Sequence, residues 1–523
     1  MRIGKLILLL LIISFLLIPG GCRGQSDTFV IALGDNVRTI DPIGSPSVDA
    51  ASERIRTLIF NTLVKKDEKF DYSGELAQIQ QSGDGITYTF TVRDGIKFHN
   101  GQPLTSADVK YTLDLVFSSN FAKSASFYEG SGAEKHSYIK SVEARDAKTV
   151  VVTLIKPWIG LLSNLVPVAI IPKDSYESQK THPVGTGPYK FINYDSAQQV
   201  VDLEAFPEYW EGAPNIKTIR VRVISEMNAL QAELQSGRVD IAPMPTSLQP
   251  DAIKRLEQDP NLQVKSFAGS NVVLLTLNTS AAPLDNVKVR QAIAHAVDRE
   301  GLIKNLLLDY GKIAHSILPE ESWAYTPGQK YNYDPAMAKT LLDEAGFPDP
   351  DGDGPRMRFE KPLAYKLSGS SIAGRQYAGV IQNYLKAVGI PVDIQTQEGN
   401  TLFDELRRGN FQIAYSQWVG GNQDPIFYKD LFATSEIPTQ ERASRNRSRY
   451  SNKELDALLD QAVNTFDRTK GLELYTKIQD IVSREVPVFP MWYQSNVIIA
   501  KKNVGNVHVN ASGDWSFVRS LTR

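Results

Sequence analysis

The sequence predicts an α/β protein built from two or three lobes, and three observations carry that expectation. Strand signals of period two alternate with helical stripes along the chain. At 523 residues it is several times longer than an ordinary domain. No unit repeats at intervals of roughly 20–50 residues, so a solenoid is excluded. Hydrophobic residues at 42% and charged ones at 22% match a globular body and exclude both a disordered chain and a polytopic membrane protein. Lys and Arg number 57 against 59 Asp and Glu, a net charge of -2 that offers no field to a polyanion, so nucleic acid is not an expected partner. The single cysteine excludes an internal disulfide, a Cys-based zinc site and an iron–sulfur cluster.

At the start, Arg2 and Lys5 form a short positive region, Leu6 to Ile18 is apolar apart from Ser14, and Pro19-Gly20-Gly21 places small residues before Cys22. A cleaved secretory peptide with an incidental cysteine is one reading. The other is a bacterial lipoprotein signal, which the segment resembles except at Pro19, where that pattern usually has leucine. The resemblance implies residues 1–22 as signal peptide, with Cys22 as the lipidated first residue of the mature chain, because several acyl chains together anchor stably. After Cys22 no apolar segment is long enough to cross a bilayer. The body is therefore expected in the periplasm or on the outer face of the cytoplasmic membrane, touching the membrane through its lipid anchor only.

Residues 23–27 read as a linker into Phe29 to Leu33, a buried strand followed by Ile40-Asp41-Pro42. Thr87 to Val92 alternates with period two between Asp84-Gly85 and Asp94-Gly95, the turn signals of an antiparallel segment. Thr105 to Phe117 predicts a helix: Thr105 and Asp108 form a capping box, and Val109, Leu113, Val116 and Phe117 share one face. Thr149 to Ile155 predicts a strand, Gly185-Thr186-Gly187-Pro188-Tyr189 a tight turn, Ile219 to Val223 a half-exposed strand, and Glu226 to Ser236 a helix ended by Gly237. A second block begins near Ser270. Val272 to Leu277 is a near-continuous apolar strand, and Asn286 to Leu308 carries a helical stripe. Asp334-Pro335 opens a helix that Gly346 ends. Leu363 to Leu367, Ile372 to Val388 and Val392 to Ile394 continue as strand, helix and strand. Val497 to Ala500 and Val507 to Val509 are the last strand signals, on a tail expected to return to the first lobe.

Catalytic motifs are missing. There is no G-x-x-x-x-G-K-[ST] loop, no H-E-x-x-H helix and no G-x-S-x-G elbow. Gly185-x-Gly187 precedes Pro188, which has no N–H for a phosphate, so it is not a dinucleotide fingerprint. An enzyme is not expected. A secreted hydrolase with paired carboxylates remains the competing class, since a chain with 59 acids conceals any such pair.

The stretch Asp84 to Gly101, DGITYTFTVRDGIKFHNG, continuing through Pro103-Leu104-Thr105-Ser106-Ala107-Asp108-Val109, resembles the signature of family 5 extracellular solute-binding proteins, the peptide/nickel type that serves bacterial ABC importers. Ordered matches follow at Ile40-Asp41-Pro42, Gly185 to Tyr189, Gly237-Arg238-Val239-Asp240, Val289-Arg290-Gln291-Ala292, Ala296-Val297-Asp298-Arg299 and Ala338 to Gly346. The resemblance implies a large two-lobed, type II periplasmic-binding-protein-like α/β fold with a ligand cleft between the lobes. Residues 27–60, 186–270 and 491–523 would form the first lobe, 61–185 a subdomain inserted in it, and 271–490 the second lobe. Hinge closure would bury a solute, and the closed form would be what the ABC permease and its ATPase subunits receive. Most of the quoted residues read as structural: Asp94-Gly95 and Gly101 shape turns, Arg93 pairs locally and Asp240 caps.

In peptide-binding relatives the resemblance places ligand contacts on a cleft strand carrying a Trp, on backbone pairing and on an aspartate that meets the peptide ammonium. The matching segment is Tyr415 to Pro425, YSQWVGGNQDP, with Trp418, Gly420, Gly421 and Asn422 as candidate contacts. Gly421 stands where the ammonium-pairing aspartate is usual, so that charge is missing. Asp424 replaces it only if the loop is shifted, and otherwise serves as the turn residue before Pro425. The implied solute is a peptide not anchored by a free amine, or something larger than a short peptide; a nickel chelate and an oligosaccharide remain open within the class. Asn36 and Val37 are the candidate first-lobe edge for backbone pairing. Trp418 keeps two readings, stacking platform and core packing.

Asp349-x-Asp351-x-Asp353-Gly354 with Glu360 satisfies the calcium-loop pattern of alternating carboxylates, a glycine turn and a distal bidentate Glu. Pro355 through Pro362 is a poor helix, so a solvated Asp/Gly turn is the other reading. Solute binding requires no cofactor, and Ca2+ is the hard cation that this pattern would suit. Arg442, Arg445, Arg447 and Arg449, among Ser and Asn, read as a solvated loop.

Overall fold

The computed structural model describes residues 28–44, 49–129, 135–350, 359, 361–369, 371–418, 424–440, 442 and 444–523. Phe29–Leu33 lies inside a seven-stranded sheet ordered Tyr189–Asp195, Val200–Ala205, Thr218–Val223, Phe29–Leu33, Ile241–Pro243, Asn496–Lys501, Leu262–Phe267. It runs parallel to both neighbours, Phe29 opposite Ile219 and Ile31 opposite Ile241. Such a strand is covered on both faces, which explains its unbroken apolar run. The second sheet is ordered Gly311–Ile313, Val488–Gln494, Val272–Leu277, Ile413–Trp418, Leu363–Ser368, Val392–Gln397. All residues of Val272–Leu277 are buried, between antiparallel partners on either side. Each sheet with its helices makes one lobe. Val488–Gln494 pairs in the second sheet and Asn496–Lys501 in the first, so the chain passes from one sheet to the other at Ser495.

A four-stranded antiparallel sheet, Ala77–Gln81, Thr87–Val92, Thr149–Leu154, Ile139–Ala144, falls wholly within the stretch 61–185. Tyr88, Phe90 and Val92 point inward from alternate positions, and helix Ser106–Ser118 lays Val109, Leu113 and Val116 on the same core. The capping box forms, with Thr105 N–H donating to Asp108 Oδ2 at 2.9 Å. This core is continuous with that of the first sheet, so the inserted part is fused to the first lobe.

His99 shows what the signature does physically. Its Nδ1 accepts from the Gly185 N–H at 3.3 Å and its Nε2 lies 3.0 Å from the Gly187 carbonyl, which assigns a neutral ring with its proton on Nε2. The turn it holds presses on the end of helix Ala50–Ile59: Gly187 N–H donates to the Ile59 carbonyl at 2.9 Å, and a Cβ on Gly185 would come within 2.1 Å of that oxygen. Burial, the main cause, pulls His99 down from 6.5 to about 4, with the Gly187 carbonyl opposing and Lys190 adding. The unfolded chain takes up this proton at the ordinary value, so the stability His99 contributes is complete above about 6.5 and is lost as pH falls toward about 4. Urea midpoints of the wild type should fall across that window, and those of His99→Gln should change less; parallel profiles would contradict this assignment.

Four local readings change. The stripe from Asn286 to Leu308 is two helices, Val287–Ala296 and Arg299–Asn305, because Val297 is extended (φ -98, ψ 117) and Asp298 caps the second through the Gly301 N–H at 2.8 Å. Periodicity does not register a break across which the buried stripe continues. Val507 to Val509 packs Val507 and Val509 onto the first core without joining a sheet. Asp240 caps no helix among the described residues; buried, it accepts the Val30 N–H at 2.8 Å and pairs with Lys501 and Arg523. Among the described residues Arg93 pairs with no acid and donates instead to the carbonyls of Glu75 and Gly74 at 2.7 and 3.1 Å. Among the described residues no helix is long and apolar enough to cross a membrane.

Candidate functional site

The lobes join where Leu262–Phe267 leads to Val272–Leu277 and where Val488–Gln494 leads to Asn496–Lys501. The two passages run side by side: Gln494 N–H donates to the Asn271 carbonyl at 2.8 Å, and Phe267 stands opposite Asn496. Glycine is needed at 269, since a Cβ there would lie 1.8 Å from the Gln494 carbonyl oxygen. The C-terminal segment braces the ribbon. The Asn496 side-chain amide reaches the carbonyls of Ala268, Asn510 and Ala511 at 3.0 to 3.1 Å, and Ser270 N–H donates to Ala511. A two-stranded passage can bend without disturbing the core of either lobe, which is the geometry of a hinge.

Three charged groups converge from separate parts of the chain. Lys66 ends the first strand of a hairpin, Val64–Lys66 with Tyr72–Gly74, in the inserted part. Asp514 follows the hinge-bracing segment, and Asp424 belongs to the second lobe. Burial pulls the Lys66 ammonium down to about 7, against the attraction of Asp424 and Asp514. Burial works to raise the Asp514 carboxyl, but donation from Ser512 (2.6 Å), Ser516 and Asn510 (2.9 Å) outweighs it and holds the group below its ordinary value. Asp424 is 7% exposed and uses both oxygens: one accepts the Ile426 N–H at 2.8 Å, the other the Tyr72 hydroxyl at 2.5 Å. It is thus a turn residue that also bonds across to the other lobe.

Trp418 ends the strand Ile413–Trp418 opposite Val272. It is half-buried, meeting Phe427 edge-on at 5.6 Å, with the Arg445 guanidinium 5.7 Å from its ring centre. Arg445 is held there by Asp430 at 3.0 Å. The arginine cluster is therefore more than a solvated loop, since Arg447 lies over Phe403 and Arg449 donates to the Arg407 carbonyl. Asn36 is exposed beyond the first strand. Val37 is buried, its N–H donating to Gln199 at 2.8 Å and its carbonyl accepting from the Tyr194 hydroxyl at 2.6 Å, so its backbone is engaged within the first lobe. Gly420, Gly421 and Asn422 lie outside the described residues, as do Cys22, Asp351, Asp353 and Glu360; Asp349 is half-buried just beyond helix Pro335–Glu344. Among the described residues no group of three His, Cys, Asp or Glu side chains is placed to hold a metal ion. Lys66, Tyr72 and Asp514 carry no motif and went unread in the sequence, because only the packing of separate lobes brings them near Asp424.

Residues 71–439 match the family described as bacterial extracellular solute-binding proteins, family 5 middle region. The chain belongs to this family. It is 28% identical over 481 residues to the oligopeptide-binding protein AppA of Bacillus subtilis, covering 88% of this chain and 85% of AppA. It is 28% identical over 476 residues to heme-binding protein A of Haemophilus influenzae, covering 86% of this chain and 83% of that relative. Among solved structures, NikZ of Campylobacter jejuni in complex with Ni(L-His) aligns with a TM-score of 0.76 at 25% identity, covering 95% of this chain and 100% of NikZ. The two-lobed α/β fold of this family 5 protein is the family's, and members of the family are transport solute-binding proteins rather than enzymes.

Proposed function

We propose that this family 5 protein captures a peptide-class solute between its lobes outside the cytoplasm, held to the membrane by lipid on Cys22, and delivers it to an ABC permease with its ATPase subunits. The observation that carries the reading is the likeness to AppA along 88% of the chain. The paired hinge ribbon supports it. Bending there brings half-sites on the two lobes together, and a solute favours the closed form by as much as it binds that form better. Lys66 suits the carboxylate end of a peptide: a desolvated ammonium regains its proton when an anion is brought beside it. Asp424 is already committed to Ile426 and Tyr72 and is no free partner for a peptide ammonium. The candidate contacts Asn36, Trp418, Gly420, Gly421 and Asn422 complete the proposed site, whereas Val37, whose N–H and carbonyl are both engaged within the first lobe, does not join it.

The likeness to NikZ favours a nickel chelate as the second reading, since a chelate brings its own metal ligands. Calcium at the Asp349 to Glu360 loop is a separate expectation on which neither reading depends. Mass spectrometry of solute co-purified with the protein should return peptides. In calorimetry with one such peptide, N-acetylation should change Kd by less than about threefold, while C-terminal amidation should weaken it about tenfold or more. Tight binding abolished by N-acetylation would overturn the absence of an amine anchor, and a nickel chelate in the co-purified material would select the second reading.

A further inference from the structure

We infer that the hairpin Val64–Gly74 is a latch, tying the inserted part of the first lobe to the second lobe whether or not a solute is bound. The contacts that make the latch are between protein groups. The Lys69 carbonyl accepts the Trp323 N–H at 3.1 Å, the Tyr72 hydroxyl donates to Asp424 at 2.5 Å, and Asp71 pairs with Arg468, whose guanidinium lies 4.1 Å from the Trp323 ring centre. The neighbouring turn adds a steric contact: a Cβ on Gly85 would fall 2.3 Å from the Phe466 ring. Trp323, Asp424, Phe466 and Arg468 all belong to the second lobe and stand outside the hinge ribbon. The hairpin is also stiffened from its own side. Arg93 clamps the carbonyls of Gly74 and Glu75 at its base, and Phe70, buried near its tip, is held at φ +60, a conformation that persists only where surroundings enforce it.

The chemistry suits a reversible fastening. Asp71 and Arg468 remain 36% and 42% exposed in contact, so parting them strands no buried charge. The stronger hold is the hydroxyl donated to a buried carboxylate, whose oxygen returns to water when the lobes separate. The latch therefore sets how much of the protein is closed before a solute arrives and how fast one leaves.

The test needs no solute. Spin labels on cysteines introduced at the exposed positions Lys140 and Lys453, in the full chain carrying Cys22→Ala, report the distance between the inserted part and the second lobe by pulsed electron resonance. Tyr72→Phe combined with Arg468→Gln should raise the long-distance population about fivefold or more over the parent. Tyr72→Phe alone, which removes one oxygen atom, should move it the same way. Lys148→Ala, which removes a pair with Asp94 inside the inserted part, should leave it unchanged. The charge swap Asp71→Arg with Arg468→Asp should restore the short distance that either substitution alone lengthens. An unchanged distribution in the Tyr72 variants, or an equal shift from Lys148→Ala, overturns the latch and leaves the peptide assignment standing.

Discussion

Arg299→Leu is expected to destabilise the second lobe by about 3–5 kcal/mol, the cost of leaving three carbonyls without the charged donor they share. Arg299 is 5% exposed, and its guanidinium donates to the carbonyls of Ala314 (2.6 Å), Pro490 (2.8 Å) and Tyr331 (2.7 Å) while lying 4.7 Å from the Phe489 ring centre. Burial lowers its pKa to about 10, with Tyr493 and Glu300 opposing, so it stays charged at neutral pH. Leucine matches much of its apolar stem but leaves three carbonyls without that donor. Arg299→Lys keeps the charge and loses the planar fork, so it should recover less than half of the loss. Guanidinium denaturation followed by circular dichroism measures both; a loss below about 1 kcal/mol for Arg299→Leu would show that the carbonyls find other partners.

Asp240→Ala should cost about 3–4 kcal/mol, because the carboxylate is 2% exposed and serves three donors at once. It accepts the Val30 N–H at 2.8 Å, pairs with Lys501 at 2.8 Å and meets Arg523 at 3.4 Å. These lie on the first strand, on the strand returning from the second lobe and at the chain end, so one carboxylate secures the closing element of the first sheet. Asp240→Asn retains an acceptor for Val30 and should lose less than Asp240→Ala. Arg523→Ala should cost under about 1 kcal/mol, since that contact is long and partly solvated. The order of loss in denaturant midpoints should run Asp240→Ala, then Asp240→Asn, then Arg523→Ala, and any other order contradicts the account.

The limits of sequence reading follow from the range of the interactions involved. The Thr105–Asp108 box and the Asp334 cap, which accepts the Met337 N–H at 2.9 Å, involve groups within three residues of each other, so the chain announces them locally. The same holds for the run Val272–Leu277, whose composition reports burial on both faces. The break at Val297 was missed because Ala296 and Val297 keep the apolar stripe while the backbone leaves the helix. The arginine cluster misled for a related reason: charge in a loop suggests solvent, yet Arg445 lies against Trp418 and Phe427 because the facing helix Phe427–Phe432 supplies Asp430 to hold it.

The sequence by itself determined the α/β class, the family, and local features such as the Thr105–Asp108 box and the Asp334 cap. Those features depend on composition, period and neighbours a few residues apart. Tertiary structure alone decided the cleft and its fastening. Tyr72 and Asp424 lie 352 residues apart, and each reads locally as an ordinary strand tyrosine or turn aspartate. Their meeting, like the approach of Lys66 to Asp424 and Asp514, follows from how two separately packed cores rest on one hinge. That relation is a property of surfaces in space and leaves no period or spacing in the chain.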